Sequence, residues 1–311
     1  MKLLVTGASG LLGISLALEA MREHEVVGSD RGKLKSAPFQ ILKADLLDPD
    51  AINFIIDSAQ PDWVVNCAAL ANLDICEQYP DEARIVNTEI PGEMARVCAK
   101  RDIRFVHIST DAVFDGVKTD PYTEEDQPNP LGMYSRTKLD GERAVHAANS
   151  QAAIARVNFF GWSLSGTHSL GEFFFNNLSE SRTVYGFNDV IFCPIFVRYT
   201  ARLLLDILEQ GLCGLYHVVG AQVMSKYQFG VEIARRFGLP ENLISPRSVE
   251  ESGLTARRSH NLWLSTHKLS TALGQEIPLF STGLDEFYTQ FQQGYPQKIR
   301  SYQQPEGTFL A

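Results

Sequence analysis

The run Thr6-Gly7-Ala8-Ser9-Gly10-Leu11-Leu12-Gly13 restricts the fold of this chain more than any other feature. It follows the apolar segment Lys2-Leu3-Leu4-Val5 directly and opens at once into the amphipathic stretch Leu11 to Arg22. A buried strand that enters a tight glycine turn and emerges as a helix has a specific use. The glycines close the turn, bring backbone against a pyrophosphate at the positive helix end, and allow close packing. The same run argues against a secretory leader, because the apolar residues stop at Thr6 with no long apolar core behind them.

The rest of the first half repeats this alternation. KLLVTG, HEVVGSD, FQILKAD, DWVVNCAA, IRFVHIST and AAIARVNFF read as short strands buried on both faces. Helical patterns at Pro49–Ser58, Asp81–Arg101 and Pro130–Ala148 separate later strands. Strand and helix in turn imply βαβ units and an α/β fold: a doubly wound parallel sheet with a smaller C-terminal substrate lobe. The dinucleotide-binding domain is expected over residues 1–160, with a return segment near 196–220. Residues 161–311 would form mainly the substrate lobe. Within them Val197–Gln210 reads as a helix, Gly214–Val219 as a strand, and SKYQFGVEIARRFG as a helix capped by Ser225 and ended by Gly238. The segment around Phe173-Phe174-Phe175-Asn176 is aromatic and weakly periodic, and suits either core or a sugar or base pocket.

Hydrophobic residues make up 44% of the 311, enough for a sizeable core. A net charge of -9 argues against nucleic-acid binding, and no run approaches the roughly 18 apolar residues of a membrane span. Five cysteines without paired metal-type spacing read as reduced thiols of a cytoplasmic protein. The seven histidines form no metal-like cluster, so no metal is expected.

Asp30 ends the second strand, twenty residues after Gly10. A carboxylate there can accept hydrogen bonds from both ribose hydroxyls and favours NAD. Arg31 and Lys33 beside it could instead pair with the 2′-phosphate of NADP, and a turn or capping role for Asp30 stays open. Asp45-Leu46 and Asn66-Cys67-Ala68-Ala69 end the third and fourth strands, where the chain would pass close to the cofactor.

Tyr134 and Lys138 stand one helical turn apart. A tyrosine can protonate a developing alkoxide if a nearby cation draws its pKa down from near 10. Taken alone the spacing is weak, since some Tyr-x-x-x-Lys would arise by chance in about one such chain in three. Its setting makes it specific. His107 to Gly116 follows the fifth strand and delivers Thr110 to the carboxyl end of the sheet, where doubly wound folds bind ligands.

With these segments assembled, the chain resembles the extended short-chain dehydrogenase/reductases, and within them the dTDP-4-dehydrorhamnose reductases. The match runs in order through TGASGLLG, NCAALANLDICE, the P-x-x-A-x-x-x-N run at 80–87, ISTDAVFDG, YSRTKLDGE and D-x-x-x-x-P-I at 189–195. The resemblance implies Tyr134 as acid, Lys138 as its electrostatic and ribose-binding partner, and Thr110 as the hydroxyl that orients substrate. It implies NAD or NADP held by Gly7, Ser9, Gly10, Leu11, Leu12, Gly13, Asp30, Arg31, Asp45, Leu46, Ala68, Ala69 and Asn87, together with Tyr134 and Lys138. On the substrate side it points to Ala112, Phe114, Asn176 and Arg258. Ala112 stands where the family usually has tyrosine, and Arg258-Ser259 where it usually has Arg-Pro, so the sugar pocket is expected to differ.

The implied reaction is reduction of the 4-keto group of a nucleotide-linked deoxysugar, with a homodimer among the assemblies open to the enzyme. Epimerisation on the same fold reuses the Tyr/Lys pair. Dehydration is disfavoured, because Thr110-Asp111-Ala112 lacks the second acid of a Thr-Asp-Glu triplet. A non-catalytic role is the third reading, because the β subunit of methionine adenosyltransferase also resembles these reductases.

Overall fold

Parallel pairing of the short apolar runs sets the architecture, which a computed structural model describes for residues 1–254 and 256–303. The main strands are β1 (Lys2–Thr6), β2 (Glu25–Asp30), β3 (Gln40–Lys43), β4 (Trp63–Asn66), β5 (Arg104–Thr110) and β6 (Ala153–Val157). With Gly214–Val218 they form one seven-stranded sheet. Its order is Gly214–Val218, β6, β5, β4, β1, β2, β3, and every adjacent pair is parallel. The order reverses between β1 and β4, the crevice at which such sheets bind ligands.

Side chains of successive strand residues bury into opposite faces. Leu3 and Val5 of β1 join a core with α1 (Leu11–Ala20) and the helix Val197–Glu209. Leu4 points the other way, into a core with α2 (Ala51–Ala59) and Ile90–Lys100. The helix Met133–Ala148 adds Val145 to that second core. Both faces are therefore covered over β1, β2, β4, β5 and β6, which read as continuous apolar runs for that reason. β3, expected to be buried on both faces, lies instead at the sheet edge, with its ends exposed and its middle only half-buried.

The stretch expected as one helix over 81–101 is interrupted. Pro80–Arg84 is α-helical, Ile85–Glu89 forms a π turn, and Ile90–Lys100 resumes the α-helix. Pro91 has no N–H to return to the carbonyl of Asn87, four residues earlier, so the ladder slips there. A Cβ at Gly141 would lie 2.1 Å from that same carbonyl oxygen, so Gly141 is what admits the close crossing of the two helices.

The second half is more ordered than its weak periodicity suggests. Leu170–Ser179 is a helix with a capping box between Ser169 and Glu172. Lys226–Phe237 is capped by Ser225 and ended by Gly238 at φ +65°. Phe160 lies 5.3–5.7 Å from the rings of Phe196, Phe229, Phe280 and Phe287. Trp162 stacks on Phe287 at 4.1 Å and donates its indole N–H to that residue's carbonyl. This aromatic cluster ties the helix Phe280–Gln292 to the rest of the chain. Among the described residues no helix is long and apolar enough to cross a membrane.

Phe287 has no exposed surface. Phe287→Ala is expected to lower unfolding stability by about 3–5 kcal/mol through the cavity it leaves. Urea or guanidinium denaturation followed by tryptophan fluorescence measures this directly.

Candidate active site

The glycine turn closes as its spacing implies. Gly7 adopts φ +63°, which glycine alone tolerates easily, and a Cβ there would lie 2.8 Å from the amide nitrogen of Ala68. Gly10 N donates to Gly7 O at 2.8 Å. A Cβ at Gly13 would lie 2.2 Å from the same oxygen, so this glycine lets α1 sit directly on the turn. No side chain caps α1 and its first turn carries no acid. The amides of its first turn, on the Ser9–Gly13 side, therefore form an N-terminus suited to an anion.

Asp30 is buried at the end of β2, and both its oxygens already serve the following loop. One accepts from the amide of Gly32, the other from Leu34 N at 3.0 Å. Arg31 and Lys33 are exposed on that loop. Asp45 is exposed beyond β3 and accepts from Leu47 N at 3.2 Å, with Leu46 half-buried beside it. Ala69 is exposed, one residue beyond the half-buried Ala68. Asn87 is fully buried in the π turn, and its amide is taken up by protein partners. Its oxygen accepts from Leu70 N at 2.9 Å; its nitrogen donates to Leu70 O at 3.0 Å and Thr137 Oγ1 at 3.1 Å. It thereby joins the loop after β4 to the helix that carries Tyr134.

That helix, Met133–Ala148, starts where Met133 N donates to Glu77 Oε1 at 2.7 Å. Its first turn presents Tyr134 to a cavity of about 180 Å³ shared with Thr110, Asp111, Asn158, Lys226 and Arg258. Ala112 also lines it. Thr110 Oγ1 donates to Asp111 Oδ1 at 3.2 Å and accepts from Ala112 N at 3.2 Å. The other oxygen of Asp111 accepts from Asn158 Nδ2. Burial pushes the Asp111 carboxyl up to about 6, against the hydrogen bonds from Asn158 and Thr110 and the charge of Lys226. Lys226 and Arg258 are each pushed down by burial.

Tyr134 departs from expectation. Burial pushes its hydroxyl up to about 12, a hydrogen bond with Thr110 opposes this, and Asp111 and Cys76 reinforce it. The cation expected to draw it down is engaged elsewhere. Lys138 Nζ donates to Ile108 O at 2.5 Å and lies 3.4 Å from His107 Nε2. Burial holds Lys138 down to about 8.

Two residues placed on the substrate side lie away from the cavity. Phe114 is fully buried, stacked on Tyr122 at 4.1 Å with the Arg156 guanidinium 4.9 Å from its ring. Asn176 Nδ2 donates to Gly166 O at 2.7 Å. Phe174 and Phe175 pack in the aromatic core and Phe173 is exposed, so two of the three serve the core. Conversely, Lys226 and Asn158 line the cavity without having been singled out. Lys226 carried a signal, because a lysine directly after the Ser225 cap stands at the positive end of its helix, a local conflict. Remote from the cavity, Glu23, His24 and Glu209 bring three donor atoms within 4.8 Å of one another, with both carboxylates exposed.

A family model described as the RmlD substrate binding domain matches residues 1–293. The chain belongs to this family. A probable low-salt glycan biosynthesis reductase, Agl14, of Haloferax volcanii is 33% identical over 285 residues, covering 90% of this chain and 95% of that protein. Methionine adenosyltransferase 2 subunit beta of Mus musculus is 33% identical over 305 residues, covering 92% and 86%. The crystal structure of a dTDP-4-dehydrorhamnose reductase from Clostridium acetobutylicum matches with a TM-score of 0.80 at 28% identity, over 94% of this chain and 100% of that one. The fold is thus the Rossmann-like fold of the extended short-chain reductases.

Asp111 gives this site a pH signature. Its folded pKa, about 6, lies above the ordinary 3.8, so the native state holds the proton more tightly than the unfolded chain. Its contribution is full below pH 3.8 and is lost as pH rises to 6, a change on the order of 3 kcal/mol. Asp111→Asn is expected to flatten the fall in stability over that window, as read from denaturation midpoints at successive pH values.

Proposed function

We propose that this protein reduces the 4-keto group of a nucleotide-linked deoxysugar, with NADH or NADPH as reductant. The convergence of Thr110, Asp111, Tyr134, Lys226 and Arg258 on one cavity at the carboxyl end of β5 carries this reading. The residues present fit a dinucleotide: the Gly7 turn makes a cradle that a Cβ would fill, and the uncapped start of α1 offers amides to a pyrophosphate. When bound, the dinucleotide supplies the hydride. Asp30, Arg31 and Lys33 at the end of β2 bear on the choice between the two cofactors, with NAD slightly favoured by the carboxylate. All five cysteines are free, which suits the reducing cytoplasm.

Tyr134 acts as the acid. A phenol pushed up to about 12 keeps its proton at neutral pH and gives it only to a stronger base, which a developing alkoxide is. Thr110 beside it favours the ionised phenol, and so opposes the burial that holds the proton on Tyr134. Lys226, Arg257 and Arg258 line the same cavity as a cationic wall for the phosphates of a sugar nucleotide. Ala112 leaves room where relatives carry a tyrosine, so the accepted sugar is set here.

The likeness to methionine adenosyltransferase 2 subunit beta supports a second reading, a dinucleotide-binding regulator of a partner enzyme. The two are separated by measuring NAD(P)H oxidation with dTDP-4-dehydrorhamnose and other 4-keto sugar nucleotides. Turnover by the wild type is expected, with Tyr134→Phe lowering kcat by about 10²–10⁴. Lys226→Gln is expected to raise KM for the sugar nucleotide about tenfold. No turnover on any of these substrates, together with a stable complex with a methionine adenosyltransferase, would establish the regulator instead.

A further inference from the structure

Behind Lys138 a chain of buried polar side chains crosses three adjacent strands. Thr6 of β1 pairs in register with Asn66 of β4, and Asn66 with His107 of β5. All three are at most 1% exposed. Thr6 Oγ1 donates to Asn66 Oδ1 at 2.6 Å, and Ala68 N donates to the same oxygen at 3.3 Å. A backbone N–H only donates, so it fixes which end of the Asn66 amide is oxygen. The other end, Nδ2, then donates to His107 Nδ1 at 3.2 Å. An imidazole that accepts at Nδ1 carries its proton at Nε2. That Nε2 lies 3.4 Å from Lys138 Nζ. An ammonium there would set two donors face to face, whereas a neutral amine has a lone pair to accept with.

We propose that Asn66 locks His107 as the Nε2–H tautomer, and that this N–H, facing Lys138 Nζ, favours the amine of Lys138 over its ammonium, making His107 a positioning residue for the Tyr134/Lys138 pair. Two other groups face Lys138: Glu142 from its own helix and Cys67 from the loop after β4, both favouring the charged form. Burial opposes them and wins, bringing Lys138 down to about 8, while burial and the Lys138 charge hold His107 well below its ordinary range. The inference rests on the reductase reading only for its bearing on turnover.

The test therefore uses NMR of the full-length protein. Nitrogen-15 shifts of the imidazole show which ring nitrogen of His107 is protonated, and carbon-13-labelled lysine, assigned through Lys138→Arg, gives the Lys138 titration. The wild type is expected to carry the proton on Nε2. Asn66→Asp keeps the acceptor for Thr6 and Ala68 but turns the second atom into an acceptor. It is expected to move the His107 proton to Nδ1 and raise the Lys138 midpoint by about one pH unit or more. In an enzyme assay the alkaline limb of the pH–rate profile follows that shift. A wild-type His107 protonated on Nδ1, or an unmoved Lys138 midpoint in Asn66→Asp, overturns the proposal. Neither NMR readout needs turnover, and the wild-type tautomer decides the matter alone should the variant not fold.

Discussion

Everything at the carboxyl edge of the sheet depends on how closely β1 and β4 approach where the strand order reverses. Gly7 turns away from β1 within van der Waals contact of Ala68, just beyond β4, and no side chain fits between them. That contact fixes α1 against the turn through Gly13, leaves the first amides of α1 uncapped, and opens the crevice beside β4 and β5. A parallel sheet places all its strand ends on one side, so the same edge also carries Asn66, Thr110 and Asn158. The site is thus a consequence of the sheet order.

The second constraint is the seating of the helix Met133–Ala148, which carries Tyr134 and Lys138. Arg156 of β6 makes a two-pronged ion pair with Glu142 of this helix, at 2.9 and 2.8 Å. Both partners are buried, and Ser109 also donates to Glu142. Buried pairs of this kind add little net stability over an apolar pair, but losing one partner strands the other charge. Their effect here is positional: Glu142, one turn beyond Lys138, cannot rotate or slide without breaking bonds to two strands. Asn87 acts from the other side, holding Thr137, whose hydroxyl donates to Tyr134 O. Tyr134 is therefore placed by groups that never touch the cavity.

What the sequence made legible follows from the range of the physics involved. The strands, the glycine turn, Ser225 and Gly238 are local signals, and they reappear where periodicity and capping chemistry put them. Leu170–Ser179 has a local signal too, the Ser169/Glu172 capping box, but its aromatic residues on several sides hide a helical period. The π turn was readable only as a proline four residues beyond Asn87. Non-local burial was not readable. The rise in the Tyr134 pKa, the diversion of Lys138 to Ile108 and the core position of Phe114 all depend on which distant segments cover these residues. Helical spacing puts Lys138 on the same face as Tyr134, but the nearer acceptor on β5 decides where its ammonium goes.

Thr110 shows how such details reshape a functional reading. A threonine has one proton, and here it is directed to Asp111 Oδ1. The Thr110 oxygen also receives Ala112 N, and its hydrogen bond with Tyr134 favours the ionised phenol, which accepts, so Asp111 and Tyr134 compete for the one Thr110 proton. The competition is set by Asp111, whose charge burial disfavours and Lys226 favours. Protonated, Asp111 can donate to Thr110 and free its hydroxyl to point at substrate. The hydroxyl expected to orient the ketone thus takes its direction from an acid beside it and a lysine from the far half of the chain.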